Sequence, residues 1–183
     1  MYLYSITTYQ LLNLRKAMRL FLSILFLFFL LPAKAATIAE LFGDGVFGTQ
    51  WGDKIEAVGS KLPNSTKESI GDIVWLELKD SKEILGVPRD NQKVHFSFDA
   101  EKRLNGVAVY YNADDYSVLL NKLNTLFGEY TQVAGNKTAL QWKSSDFVLT
   151  LYFATVGINT NSVFSIGYYG LTKPDANKED LGF

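Results

Sequence analysis

The sequence predicts an α+β fold: a two-layer sandwich in which an antiparallel sheet of about six strands carries two helices on one face. Short segments alternate apolar and polar residues, polar tetrapeptides between them read as hairpin turns, and two segments repeat their apolar residues at helical spacing. Strands joined by hairpins make an antiparallel sheet, and the apolar helix faces must then cover one side of it.

Taken in order, Ile38 to Phe42 forms a short turn of helix, followed by a glycine-rich loop through Gly43, Gly45, Gly48 and Gly52. Asp53 opens the first full helix. It stands three residues before Glu56, the spacing of a capping box, and Ile55, Val58 and Leu62 share one face until Pro63-Asn64-Ser65 closes the element. Strands follow at Ile73–Lys79, Val94–Phe98 and Val107–Tyr111, with 80–92 as a loop between the first two. Asp99-Ala100-Glu101-Lys102 is the hairpin turn, and the parity of Leu104 against Val107 places a bulge at Asn105-Gly106. The second helix starts at Asp114 or Asp115 and ends at Gly128, with Tyr116, Leu119, Leu120, Leu123, Leu126 and Phe127 on one face. Three more strands complete the chain at Ala139–Lys143, Phe147–Ala154 and Val163–Tyr169, with Lys143-Ser144-Ser145-Asp146 as the second hairpin turn. Helix, three strands, helix, three strands suggests an αβββ duplication, with Trp75 and Trp142 each on the first strand of its half.

Ahead of this domain, Arg15, Lys16 and Arg19 flank an apolar run from Leu20 to Leu31, and Pro32 and the small-x-small site Ala33-Lys34-Ala35 follow. That order predicts a secretory signal peptide over residues 1–35, cleaved after Ala35, with Met18 as an alternative start. The apolar run is too short for the roughly 20 residues a bilayer requires, so no stable membrane span is expected after cleavage. The predicted organisation is a signal peptide (1–35), one α+β domain (36–170) and a polar tail (171–183), located in the periplasm or secreted. Cleavage would remove four cations and no acids, changing the formal net charge from −1 to −5. An acidic surface repels nucleic acid and anionic lipid on average, so no nucleic-acid partner is expected.

The run Phe47-Gly48-Thr49-Gln50-Trp51-Gly52-Asp53 before a short helix, with Phe98-Asp99-Ala100-Glu101-Lys102-Arg103-Leu104 further on, resembles small exported bacterial domains. In layout the chain is similar to the β-lactamase inhibitory protein fold and to small outer-membrane assembly lipoproteins. The resemblance implies a tandem αβ repeat whose concave sheet face grips another protein. The chain departs from those proteins in having no cysteine, and no functional residue is carried over.

One histidine and no cysteine leave few catalytic options. Only His95 could serve a Ser-His-Asp arrangement, and zinc sites normally take several His or Cys ligands. No catalytic residue, metal site or cofactor is therefore predicted, and the alternation around His95 puts its side chain toward solvent. Gly43 to Gly48 spells G-x-G-x-x-G, but no strand precedes it, so its glycines are read as turn residues. Asp114-Asp115 reads as a helix-start pair.

Strand parity assigns Val74, Leu76, Leu78, Val94, Phe96, Phe98, Val107, Val109, Tyr111, Leu140, Trp142, Phe147, Leu149, Leu151, Phe153, Phe164, Ile166 and Tyr168 to the helix-covered face. The other face then carries Trp75, His95, Ser97, Tyr110, Val148, Thr150, Tyr152, Val163 and Tyr169. Trp and Tyr bring large contact area with few rotatable bonds, the chemistry of interface anchors. The candidate binding residues are Trp75, His95, Tyr110, Tyr152 and Tyr169. The leading expectation is a non-enzymatic protein-binding domain that meets another exported or envelope protein, as an inhibitor, an immunity-type factor or an assembly accessory. Alternatives are a sugar- or lipid-binding protein and a carboxylate-based hydrolase, which two acids suffice to build.

Overall fold

The structure is a computed structural model that describes residues 37–171. The expected signal peptide and the tail beyond Leu171 lie outside the described residues.

An α+β domain is seen, but its sheet has eight strands rather than about six. Helix α1 (Ile38–Phe42) and helix α2 (Ile55–Lys61) precede strands β1 (Thr66–Ile70), β2 (Ile73–Asp80), β3 (Gln92–Phe98) and β4 (Leu104–Asn112). A 3₁₀ turn (Ala113–Asp115) and helix α3 (Tyr116–Phe127) lead to β5 (Thr131–Val133), β6 (Asn136–Lys143), β7 (Phe147–Val156) and β8 (Asn159–Tyr168). The sheet order is β1-β2-β3-β4-β8-β7-β6-β5, antiparallel throughout. The sheet is therefore two four-strand meanders, the first preceded by α1 and α2 and the second by α3, not two copies of the αβββ unit the sequence suggested, and the halves join along β4 and β8.

The two strands that periodicity missed are the edges. All five residues of β1 are exposed, and β5 is three residues long with two exposed, so neither shows an alternation of burial. Lys67 and Glu68 in the middle of β1 place charges on a strand edge that would otherwise invite pairing. Trp75 and Trp142 sit on the second strand of each half and face opposite sides. Trp142 is 2% exposed and its indole N–H donates to Gly128 O at 2.9 Å, whereas Trp75 lies on the other face.

The core forms where parity predicted. Leu76, Val94, Phe96, Val107, Val109, Tyr111, Leu149, Leu151, Phe164 and Ile166 pack with Ile38, Ile55, Val58, Leu119 and Leu123 from the three helices. Phe153 departs from this. It is 39% exposed and stacks on Tyr116 at 4.4 Å. Asn105 is the extra residue between the pairs Ser97↔Gly106 and Phe98↔Leu104, at the expected bulge.

One predicted helix start is corrected and the other holds. The N-cap of α2 is Lys54, with no side-chain bond, because Asp53 is engaged elsewhere: its Oδ2 accepts from Gln50 N (2.8 Å) and Lys61 Nζ (2.7 Å). Helix α3 starts where expected, with Asp115 as its N-cap, and the 3₁₀ turn ahead of it is capped by Asn112, whose N–H donates to the Asp115 carboxylate at 3.1 Å.

Two connections seal the helix-bearing face. Phe42, Val46, Phe47 and Trp51 pack against the core, with the Trp51 N–H on Phe42 O (2.6 Å) and its ring stacked on Tyr168 at 5.5 Å. The G-x-G-x-x-G segment is a turn in which Gly45 and Gly48 adopt positive φ. The residues that carried the family resemblance fasten these parts together, since Gly52 N donates to Leu104 O (2.9 Å) and Leu104 N to Asp53 O (2.8 Å). In the 81–91 loop, Ile84, Leu85 and Val87 join the core, and Arg89 has a fully buried side chain. Its guanidinium donates to the carbonyls of Tyr110, Lys82, Gln92 and Lys93 and to the Asp80 carboxylate, so one cation ties loop to sheet.

Among the described residues, no helix is long and apolar enough to cross a membrane.

Candidate functional site

The face opposite the helices is built from alternate residues of the central strands, and the register arranges them in rows. One row runs Trp75, Ser97, Gly106, Gly167, Val148, and the next runs Glu77, His95, Ala108, Ser165, Thr150. A third brings Tyr110, Val163 and Tyr152 side by side. Four of the five predicted site residues, Trp75, His95, Tyr110 and Tyr152, thus fall on neighbouring strands of one face. Tyr169 lies just past β8 and is 54% exposed.

His95 is the centre of the cluster. Its ring lies 4.9 Å from that of Tyr110 and 6.1 Å from that of Trp75, and Nε2 is 2.8 Å from Glu77 Oε2. A carboxylate oxygen accepts, so the proton sits on Nε2 and Nδ1 is left as an acceptor facing the Tyr110 hydroxyl at 3.5 Å. Burial holds the imidazole pKa below its usual value, and the Lys93 ammonium works in the same direction against the opposing pull of Glu77. Burial, with Tyr152 and Glu77 nearby, pushes the Tyr110 phenol up to about 12, and burial also raises Tyr152. The result is a strut across three strands in which an uncharged phenol and an uncharged imidazole lean on the Glu77 carboxylate. The expected solvent-facing histidine is corrected accordingly, since its side chain is only 22% exposed.

The aromatic rings are also less open than the sequence suggested. Trp75, Tyr110 and Tyr152 are half-buried, and Val163, expected on the open face, is completely buried between the two tyrosines of its row. The Trp75 indole N–H is buried without a hydrogen-bond partner.

Beside the cluster lies a trough of about 320 Å³, floored by Gly106, Ala108, Ser165 and Gly167 and flanked by Tyr152 and Tyr169. Close approach accounts for Gly106, whereas at Gly167 an added Cβ would make ordinary contact. A Cβ at Gly106 would fall 2.5 Å from Ser97 Oγ, and one at Gly167 would fall 3.4 Å from the Tyr169 ring. Sequence reasoning missed both this floor and Glu77. Glu77 was accessible to it, because it shares the parity of Trp75, whereas the trough depends on Gly106 and Gly167 being directly paired. Among the described residues, no three His, Cys, Asp or Glu side chains converge to hold a metal ion.

No protein-family model matches the chain, and no curated protein matches it. Among solved structures, the chain is similar to the crystal structure of a DUF4309 family protein (YjgB) from Bacillus subtilis subsp. subtilis str. 168. The two share 9% identity with a TM-score of 0.38, over 63% of this chain and 78% of that one.

Proposed function

We infer that this chain is an exported, non-enzymatic binding domain of the periplasm or extracellular space, which holds another exported or envelope protein on the helix-free face of its sheet. An inhibitor, an immunity-type factor and an assembly accessory all fit this reading. The observation that carries it is the clustering of Trp75, His95, Tyr110 and Tyr152 on one face, while the helices and the segments around Trp51 and Val87 pack on the other. Aromatic side chains fixed by their neighbours are suited to anchoring a partner, because little rotamer freedom is lost on binding. The leader-like segment ending at Ala35 supports the same reading.

The test is a double substitution, Trp75→Ala with Tyr152→Ala, in the mature chain, followed by affinity capture and crosslinking from a periplasmic extract. Loss of a specific captured protein in a variant that still folds cooperatively, with a melting temperature lowered by about 10 °C or less, supports the reading. Unfolding of the variant, or undiminished capture, overturns it. The trough between Tyr152 and Tyr169 favours a second reading, a small sugar or lipid ligand, which ligand-dependent Trp fluorescence against a glycan and lipid panel separates from the first.

A further inference from the structure

Beyond the aromatic cluster, toward the β7–β8 hairpin, the same face changes character. Lys79 and Lys93 stand directly opposite each other on β2 and β3. Like charges in that position repel, so the pair lowers stability unless an anion lies between them. The Glu77 carboxylate offers little relief: Oε1 is 3.9 Å from Lys79 Nζ, and Oε2 is engaged by His95. The Lys79 side chain is 62% exposed, while the Lys93 ammonium rests 4.5 Å from the centroid of the Tyr110 ring.

Around the two lysines the strands present carboxamides. Asn112 and Asn161 are a cross-strand pair, Asn91 precedes β3, and Asn159 opens β8. With Gln92 they line a cleft of about 590 Å³, within the size range of small-molecule sites. Gln92 Nε2 donates to Asn112 Oδ1 at 2.9 Å, which fixes the orientation of the Asn112 amide. A carboxamide both donates and accepts, and so does a sugar hydroxyl, so a wall of amides suits a polyhydroxylated ligand better than a bare anion. Two ammonium groups in the same cleft call for a ligand that also carries negative charge.

We propose that this cleft binds an acidic saccharide, with its carboxylate between Lys79 and Lys93 and its hydroxyls on Asn91, Asn112 and Asn161. The chain as a whole has a net charge of −1, so the attraction is local and weakens as salt rises. The cleft adjoins the aromatic cluster through Lys93 and Glu77, but Trp75 and Tyr152 do not line it, so its failure leaves the protein-binding reading intact.

The experiment is an NMR titration of the ¹⁵N-labelled mature chain with trigalacturonate, following the side-chain amide resonances. Three comparison ligands are the methyl ester of the same trisaccharide, tetraglutamate and inorganic phosphate. Saturable shifts at Asn112 and Asn161 with trigalacturonate, weakened about tenfold in the ester and in Lys79→Gln/Lys93→Gln, support the proposal. The Gln variants keep most of the apolar stem, and a melting temperature equal to or above the parent's, as expected once the two like charges are gone, establishes that the fold is intact. Equal binding of the ester, equal or tighter binding of tetraglutamate or phosphate, or no shift at these amides overturns it.

Discussion

The two faces of this sheet solve different problems with the same strands. On the covered face, each strand contributes large apolar side chains that are almost fully excluded from water, such as Phe96, Leu149, Leu151 and Phe164, at 0 or 1% exposure. On the other face the same strands carry Trp75, His95, Tyr110 and Tyr152, half-buried and arranged around polar contacts, together with a floor of glycine, alanine and serine. Stability is concentrated on the first face, so the second is free to be shaped by contact geometry.

That contrast breaks if outer-face truncations cost as much as inner-face ones. The largest loss is expected from Leu149→Ala, about 2–5 kcal/mol in urea denaturation, because the site is fully enclosed. Arg89→Met should cost about 3 kcal/mol by the same measurement, since it leaves the Asp80 carboxylate and several carbonyls without their common donor. Tyr152→Ala should cost about 1 kcal/mol, within the range of substitutions that open no deep cavity. A loss equal to that of Leu149→Ala would show the outer tyrosines to be core.

His95 sharpens the comparison through pH. Its pKa is lower in the folded chain than in the unfolded one, so below about 6.5 the unfolded state takes up a proton that the folded state refuses. Stability should therefore decline as pH falls from that value toward the folded pKa, and the decline should be absent in His95→Gln. His95 is the chain's one histidine, so chemical denaturation between pH 7 and pH 5 isolates it from groups that titrate lower, such as Asp53 and Asp99, whose pKa values lie below the ordinary carboxylate value. The smallest effect is expected for Trp75→Phe, within about 0.5 kcal/mol of the parent, because removing an unpaired buried donor offsets the lost ring area.

The covered face was legible in the sequence, because one-sided burial imposes a period of two and Val94, Phe96, Val107 and Val109 obey it. β1 was not, because Thr66-Lys67-Glu68-Ser69-Ile70 is exposed throughout and nothing forces an alternation. The site was legible in part. Parity gathered Trp75, His95, Tyr110 and Tyr152, but the contact between His95 and Glu77 and the opposition of Lys79 to Lys93 depend on strand register, which the 80–92 connection and its turns set. Arg89 escaped for another reason. A cation in a loop with Gly86 and Pro88 reads as solvated, and only the convergence of five acceptors on its guanidinium explains its burial.

The position of β8 has a consequence for how the protein is made. It is the last of the eight strands to leave the ribosome, yet it occupies the middle of the sheet, between β4 and β7. The two meanders cannot be united until it arrives, so a nascent chain lacking it holds two unsealed half-sheets. A chain of this order completes its architecture only after synthesis has passed Tyr168.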